Sequence, residues 1–258
     1  MNNILIKVEN LVKTFGGLVA LTDCSLEIKD KAITGILGPN GSGKTTLFNV
    51  ITGNLKPDTG KVFYNGVEIT NEESHDLFHL GVLRTFQIAH EFSNMTVIEN
   101  LMVVPGNQKG EKLLYSLINS QKIKKEDELI KDKAMEVLKF LKIEHLKNER
   151  AGNLSGGQKK LLELARTMMV DAKIVFLDEV GAGVNKTLLR DISDSILKLN
   201  QDKGYTFCMI EHDFNFISEL CDPVIVLAEG SVLFKGSAEE VKSNEQVIES
   251  YLGKGLKK

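Results

Sequence analysis

The sequence has few cysteines, no long apolar run and no surplus of one charge, and each shortage removes a class of function. Cys24, Cys208 and Cys221 stand singly among 258 residues, with no CxxC pair and no metal-ligand spacing. That pattern argues against a disulfide framework or a zinc site and reads as reduced, partly buried thiols of a cytosolic protein. Lys and Arg number 32 against 35 Asp and Glu, a net charge of -3, without the basic footprint of a nucleic-acid binder. No apolar stretch nears the roughly 20 residues that span a bilayer. Residues 1–8 alternate like a strand and carry no basic, apolar and small-residue succession of a secretory leader. Neither an internal repeat nor a low-complexity tract is present, and residues 254–258 read as a solvated Lys-rich tail. A hydrophobic fraction of 42% is enough to bury a sizeable core.

What is present is an alternation of short apolar runs with helical periods. Residues 4–9 and 21–28 predict strands of a small antiparallel sheet. Residues 32–37 predict an apolar strand that runs straight into a glycine-rich segment, and apolar residues then recur at helical spacing over 47–51. Further strands are expected at 61–64, 82–86, 174–177, 207–210 and 224–227, with helices at about 158–169 and 186–200. From 96 to 147, Leu, Ile and Met recur at helical spacing among many Lys and Glu, which predicts a helical insertion with its own packing face. Strands alternating with helices imply a mostly parallel sheet flanked by helices, an α/β fold.

The glycine-rich segment is Gly38, Pro39, Asn40, Gly41, Ser42, Gly43, Lys44, Thr45 and Thr46, and it satisfies GxxxxGK[ST] between a strand and a helix. Glycines let the backbone wrap closely, so successive N–H groups point inward at phosphate oxygens, and the helix adds its positive end. Lys44 is expected to reach the outer phosphates, and the Thr45 hydroxyl to ligate Mg²⁺. A second strand ends in two adjacent acids, Asp178 and Glu179, at the sheet edge where ligands collect. Asp178 is expected to hold Mg²⁺ through water, and Glu179 to orient and polarise an attacking water.

Leu154, Ser155, Gly156, Gly157 and Gln158 spell LSGGQ, between the phosphate loop and the acidic strand end. On these motifs the chain resembles the ABC ATPases over essentially its whole length. The implied fold is a P-loop NTPase core with a small antiparallel β subdomain and an inserted helical subdomain over about 89–170, all within one ABC ATPase domain. The resemblance implies a head-to-tail dimer, each ATP held between one subunit's phosphate loop and the signature of a second ABC ATPase. Physically, a Ser and two Gly opening a helix make an anion-binding terminus. By the same resemblance Gln87 contacts Mg²⁺ and water, His212 holds the γ-phosphate, Phe15 stacks on adenine, and residues 181–185 couple the two sites. Two departures stand out: Val180 where many relatives carry Pro, and Asn185 where many carry Asp.

Residues 13–18, 84–87, 95–100, 210–213 and 247–253 are similar to the branched-chain amino acid import ATPases of LivG type, and lipopolysaccharide-export ATPases share several of these phrases. The implied partners are transmembrane permease subunits and, for an importer, an extracytoplasmic binding protein, with the chain peripheral on the inner membrane face. Chromosome-maintenance ATPases use the same head motifs but place a long coiled coil between them. About 110 residues without sustained heptads separate Lys44 from Ser155 here. Translation-associated ATPases carry two cassettes per chain, and this chain has one. Over 109–147, acids offset the basic residues, so a solvated helix face is expected rather than a membrane-binding one.

Overall fold

Three apolar runs, β3 (Ile33–Leu37), β7 (Ile174–Asp178) and β8 (Thr206–Ile210), are buried at every position. Strands covered on both faces pair in parallel, and these do. A computed structural model describes residues 3–85, 91–106 and 120–252. In it they join β6 (Val82–Arg84), β9 (Val224–Ala228) and β10 (Ser231–Gly236) in a six-stranded sheet of order β10-β9-β3-β8-β7-β6. Every pairing is parallel except the hairpin of β9 and β10. A second, antiparallel sheet of order β2-β1-β4-β5 comprises β1 (Ile4–Phe15), β2 (Leu18–Lys29), β4 (Thr59–Tyr64) and β5 (Val67–Glu68).

Contacts divide the described residues into two units, one within 1–87, 173–182 and 197–258, the other within 88–172 and 183–196. The first unit holds both sheets and one continuous core, in which Leu21, Ile36, Leu47, Phe48, Phe176 and Leu227 are all buried. Phe48, from the helix Lys44–Ile51, meets Phe176 of β7 edge to face at 5.0 Å. That contact fixes the helix after the glycine-rich segment against the acidic strand.

The second unit contains the helices Val97–Met102, Ser120–Phe140 and Gly156–Met168. Ala134, Leu138, Leu161 and Ala165 are buried at i,i+4 spacing, as an amphipathic packing face requires. Asn100 is fully buried, and the loop before its helix satisfies it: Phe92 N–H donates to its Oδ1, and its Nδ2 reaches the Phe92 and Thr96 carbonyls. Thr96 and Glu99 cap that helix reciprocally.

Some boundaries differ from expectation for identifiable reasons. β1 runs past Glu9 to Phe15, because register shifts and a left-handed Asn10 at φ 49° break its alternation without ending its pairing. β6 stops at Arg84; Phe86, the expected end of that strand, lies outside the described residues. Cys24, Cys208 and Cys221 are fully rather than partly buried, and desolvation pushes the Cys24 thiol up to about 12. Among the described residues no helix is long and apolar enough to cross a membrane.

Candidate functional site

The first unit gathers its chemistry at the carboxyl ends of β3, β7 and β8. After β3 the chain turns through Gly38, where a Cβ would lie 2.2 Å from the Leu227 carbonyl oxygen. Gly43, at φ 98°, would place a Cβ 2.5 Å from the Ala20 carbonyl oxygen. Only glycine lets the loop lie this close to β2 and β9. Lys44 is buried, and its Nζ donates to the carbonyls of Gly38 at 2.7 Å and Pro39 at 3.0 Å. Burial pulls its ammonium below the ordinary lysine range, and the charges of Glu179 and Asp178 offset part of that. The Ser42 Oγ is buried without a hydrogen-bond partner among the described residues.

Asp178 ends β7 almost completely buried, and its Oδ2 accepts from Arg84 Nη2 at 2.7 Å. Arg84 Nη1 also donates to Asn49 Oδ1. One guanidinium thus links β6, β7 and the helix Lys44–Ile51. Glu179 follows in the left-handed region at φ 50°, which costs a non-glycine residue about 1–2 kcal/mol. Its N–H donates to the Ile210 carbonyl at 3.0 Å, and its own carbonyl accepts from Ala182 at 3.2 Å. His212 Nε2 lies 2.9 Å from Glu179 Oε1.

Lys44, Glu179 and His212 share one cavity of about 280 Å³, lined also by Phe15, Leu18, Val19, Ala20, Asn40, Gly41, Ser42, Gly43, Thr45 and Thr46. Phe15 is half exposed at its rim, with Lys13 Nζ 5.7 Å from the ring centre. An ammonium and a helix start on one wall suit a polyphosphate, and a half-exposed aromatic ring suits a planar base. The oxygen donors fit Mg²⁺, which keeps several waters and takes one or two protein oxygens beside substrate phosphates. Thr45 is exposed in the first helical turn. Asp178 already gives Oδ2 to Arg84, so contact with an ion through water is consistent with its setting. The described residues hold no group of three or more His, Cys, Asp or Glu that could make a protein-only cage. Gln87 lies outside the described residues.

Ser155, Gly156, Gly157 and Gln158 belong to the second unit. Ser155 caps the helix Gly156–Met168: Gln158 N–H donates to its Oγ, and Gln158 Oε1 accepts from the Ser155 N–H at 2.9 Å. Ser155 and Gly156 are exposed, and a Cβ on Gly156 would meet nothing within 4 Å. Gly157 is the opposite case: a Cβ there would lie 2.2 Å from Leu188 Cδ2. Two residues that sequence reasoning gave no role stand out beside the cavity's carboxylates. Arg84 is a charge at the end of an apolar strand, and Glu211 is an acid between buried Ile210 and exposed His212. Those positions were the available signal.

Comparison with known proteins gives the family and the fold. The ABC transporter family profile matches residues 21–182, and a profile described as branched-chain amino acid ATP-binding cassette transporter matches 231–257. The chain is 41% identical to the probable branched-chain amino acid transport ATP-binding protein LivG of Archaeoglobus fulgidus, covering 96% of this chain and 95% of that one. It is 33% identical to the high-affinity LivG of Escherichia coli, over 98% and 99% of the two chains. A nucleotide-free ATP-binding cassette from an ABC transporter superposes with a TM-score of 0.83 at 41% identity, covering 97% and 99%. An ADP-bound cassette gives 0.82 at 40% identity, again over 97% and 99%.

Proposed function

The chain belongs to the ABC transporter family of ATP-binding proteins, and from that premise we propose that it hydrolyses ATP to power an importer of branched-chain amino acids. The carrying observation is the single cavity in which the glycine-rich loop, Phe15, Glu179 and His212 meet. The LivG-type relatives and the profile over 231–257 support the cargo class.

In this reading the backbone N–H groups of Gly41, Ser42, Gly43, Lys44, Thr45 and Thr46 bind the phosphates, and Gly38, Pro39 and Asn40 shape the loop's entry. Lys44 exchanges carbonyl partners for phosphate oxygens, and Phe15 stacks on the base. Mg²⁺ would be held by Thr45 and Asp178, with Gln87 as a third contact, and would neutralise phosphate charge. Glu179 orients a water and takes its proton. His212 holds Glu179 in place and contacts the terminal phosphate. Most of the rate gain comes from positioning and charge stabilisation. Ser155, Gly156, Gly157 and Gln158, exposed or at a helix start, serve the ATP of a second ABC ATPase subunit in a head-to-tail dimer. A dimeric bacterial ABC transporter cassette superposes on this chain with a TM-score of 0.76 at 25% identity, over 91% of this chain and 99% of that one, which supports such pairing. Transmembrane permease subunits would dock the dimer to the inner membrane face, and an external binding protein would deliver cargo.

The test is Glu179→Gln, which should keep ATP binding while turnover falls by about 100-fold or more. Near-normal turnover would remove Glu179 from the mechanism. With ATP, this variant should recover two permeases and a sister ATPase from detergent-solubilised native membranes. Recovery of a lipid-export membrane pair would overturn the cargo, and recovery of no membrane partner would overturn transport.

A further inference from the structure

Glu179 sits in a backbone conformation that persists only where its surroundings over-determine it. Three consecutive residues supply that constraint. The Ile210 carbonyl accepts the Glu179 N–H at 3.0 Å, and His212 Nε2 meets the Glu179 carboxylate at 2.9 Å. Between them Glu211, 4% exposed, turns back, and its Oε1 accepts the N–H of Gly181 at 2.9 Å. The first contact fixes where the Glu179 backbone starts, the second where its side chain points, and the third where the chain goes next.

A buried carboxylate beside two other acids is costly to place. Asp178, paired with Arg84, and Glu179 already occupy this strand edge. A residue whose only task was to fill space at the end of β8 would be apolar, as Thr206–Ile210 largely is. What the acid supplies is reach: it spans from β8 to the turn after β7.

We propose that Glu211 is a positioning residue for ATP hydrolysis, holding the turn at Gly181 so that Glu179 keeps its left-handed backbone and its alignment with His212. This rests on reading Glu179 as the catalytic carboxylate. Gly181 also opens the stretch that leads to Asn185, so the same contact sets where that loop departs from the site. Glu211 touches neither nucleotide nor water in this role; it acts through Glu179.

Two conservative substitutions separate reach from charge in the assembled transporter. Glu211→Gln keeps an oxygen at the same distance and loses the charge. Glu211→Asp keeps the charge and withdraws the oxygen by one methylene. Steady-state ATPase and ATP affinity are measured on both, with thermal melting to show that they fold. The expected result is a kcat within about threefold of the parent for Glu211→Gln and about tenfold or more lower for Glu211→Asp, with KM for ATP within about twofold in each. Combining Glu211→Asp with Glu179→Gln should lower the residual rate no further than Glu179→Gln alone, because the two act as one unit. The reverse order, with the Gln variant impaired and the Asp variant intact, would overturn the proposal by showing that charge matters. So would full activity in both, or multiplicative losses in the double variant. An inactive Glu179→Gln beside a fully active Glu211→Asp would sink this inference and leave the function standing. An active Glu179→Gln would sink the reading of Glu179 itself.

Discussion

Residues 38–46 and 155–158 are both glycine-bearing starts of helices, yet the chain builds them in opposite ways. The first is closed in by its own unit. Its glycines lie against the Leu227 and Ala20 carbonyls, its lysine is buried, and the strand ends beside it bring Glu179 and His212 to the same cavity. The second is finished on one side only. Its serine and glutamine satisfy each other's backbone in a capping box, Gly157 packs beneath, and Ser155 and Gly156 face solvent. A site whose parts come from one chain can be locked by that chain's core. A surface proposed to serve a second chain keeps its contact atoms outside, and here only its footing is packed.

The contrast can be broken most forcefully at Arg84. Its ion pair with Asp178 is nearly solvent-free, with 9% and 2% of the two side chains exposed. Arg84→Ala leaves a buried carboxylate unpaired, and should lower stability by about 3–5 kcal/mol, with a Tm roughly 10 °C lower. A loss under about 1 kcal/mol in urea unfolding would mean the loop region is not locked through this pair.

Next come the two glycines. Gly43→Ala combines a left-handed φ with a contact against backbone, and should cost about 2–4 kcal/mol together with ATP binding. Gly156→Ala meets no atom and should melt within about 0.5 kcal/mol of the parent, while ATPase activity falls because, in the proposed head-to-tail dimer, the added methyl faces the second subunit. Equal stability losses would erase the distinction between a locked and an open helix start. Between the two glycines in stability falls Ser155→Ala, which removes one cap and should cost about 1 kcal/mol by chemical denaturation. A neutral result there would show that the capping box does not hold the turn.

Much of this is legible in the sequence because the signals are local. The strand, glycine-rich loop and helix all lie within residues 33–51, and the mostly apolar runs mark the parallel strands directly. The short helices Ser74–His79, Phe214–Leu220, Ala238–Ser243 and Glu245–Leu252 have no such mark. Each carries too few turns for a periodic pattern, and only caps such as Asp213 and Ser237 announce two of them. The hairpin strand β10 escapes as well, since its residues are mostly half-buried and follow no strict alternation. Within the site, Lys44, Asp178, Glu179 and His212 carry motif spacing that can be read directly. Arg84 and Glu211 carry none, because their meaning lies in contacts 94 and 30 residues away.

The left-handed backbone at Glu179 also bears on how such a chain drifts under mutation. Glycine at that position would relieve about 1 kcal/mol of conformational cost and would remove the carboxylate with it. A population screened only for heat resistance would therefore gain by discarding the residue, and would fill with sturdier proteins that do no work. On the reading of Glu179 as the catalytic carboxylate, heat resistance and turnover therefore pull in opposite directions at this one position.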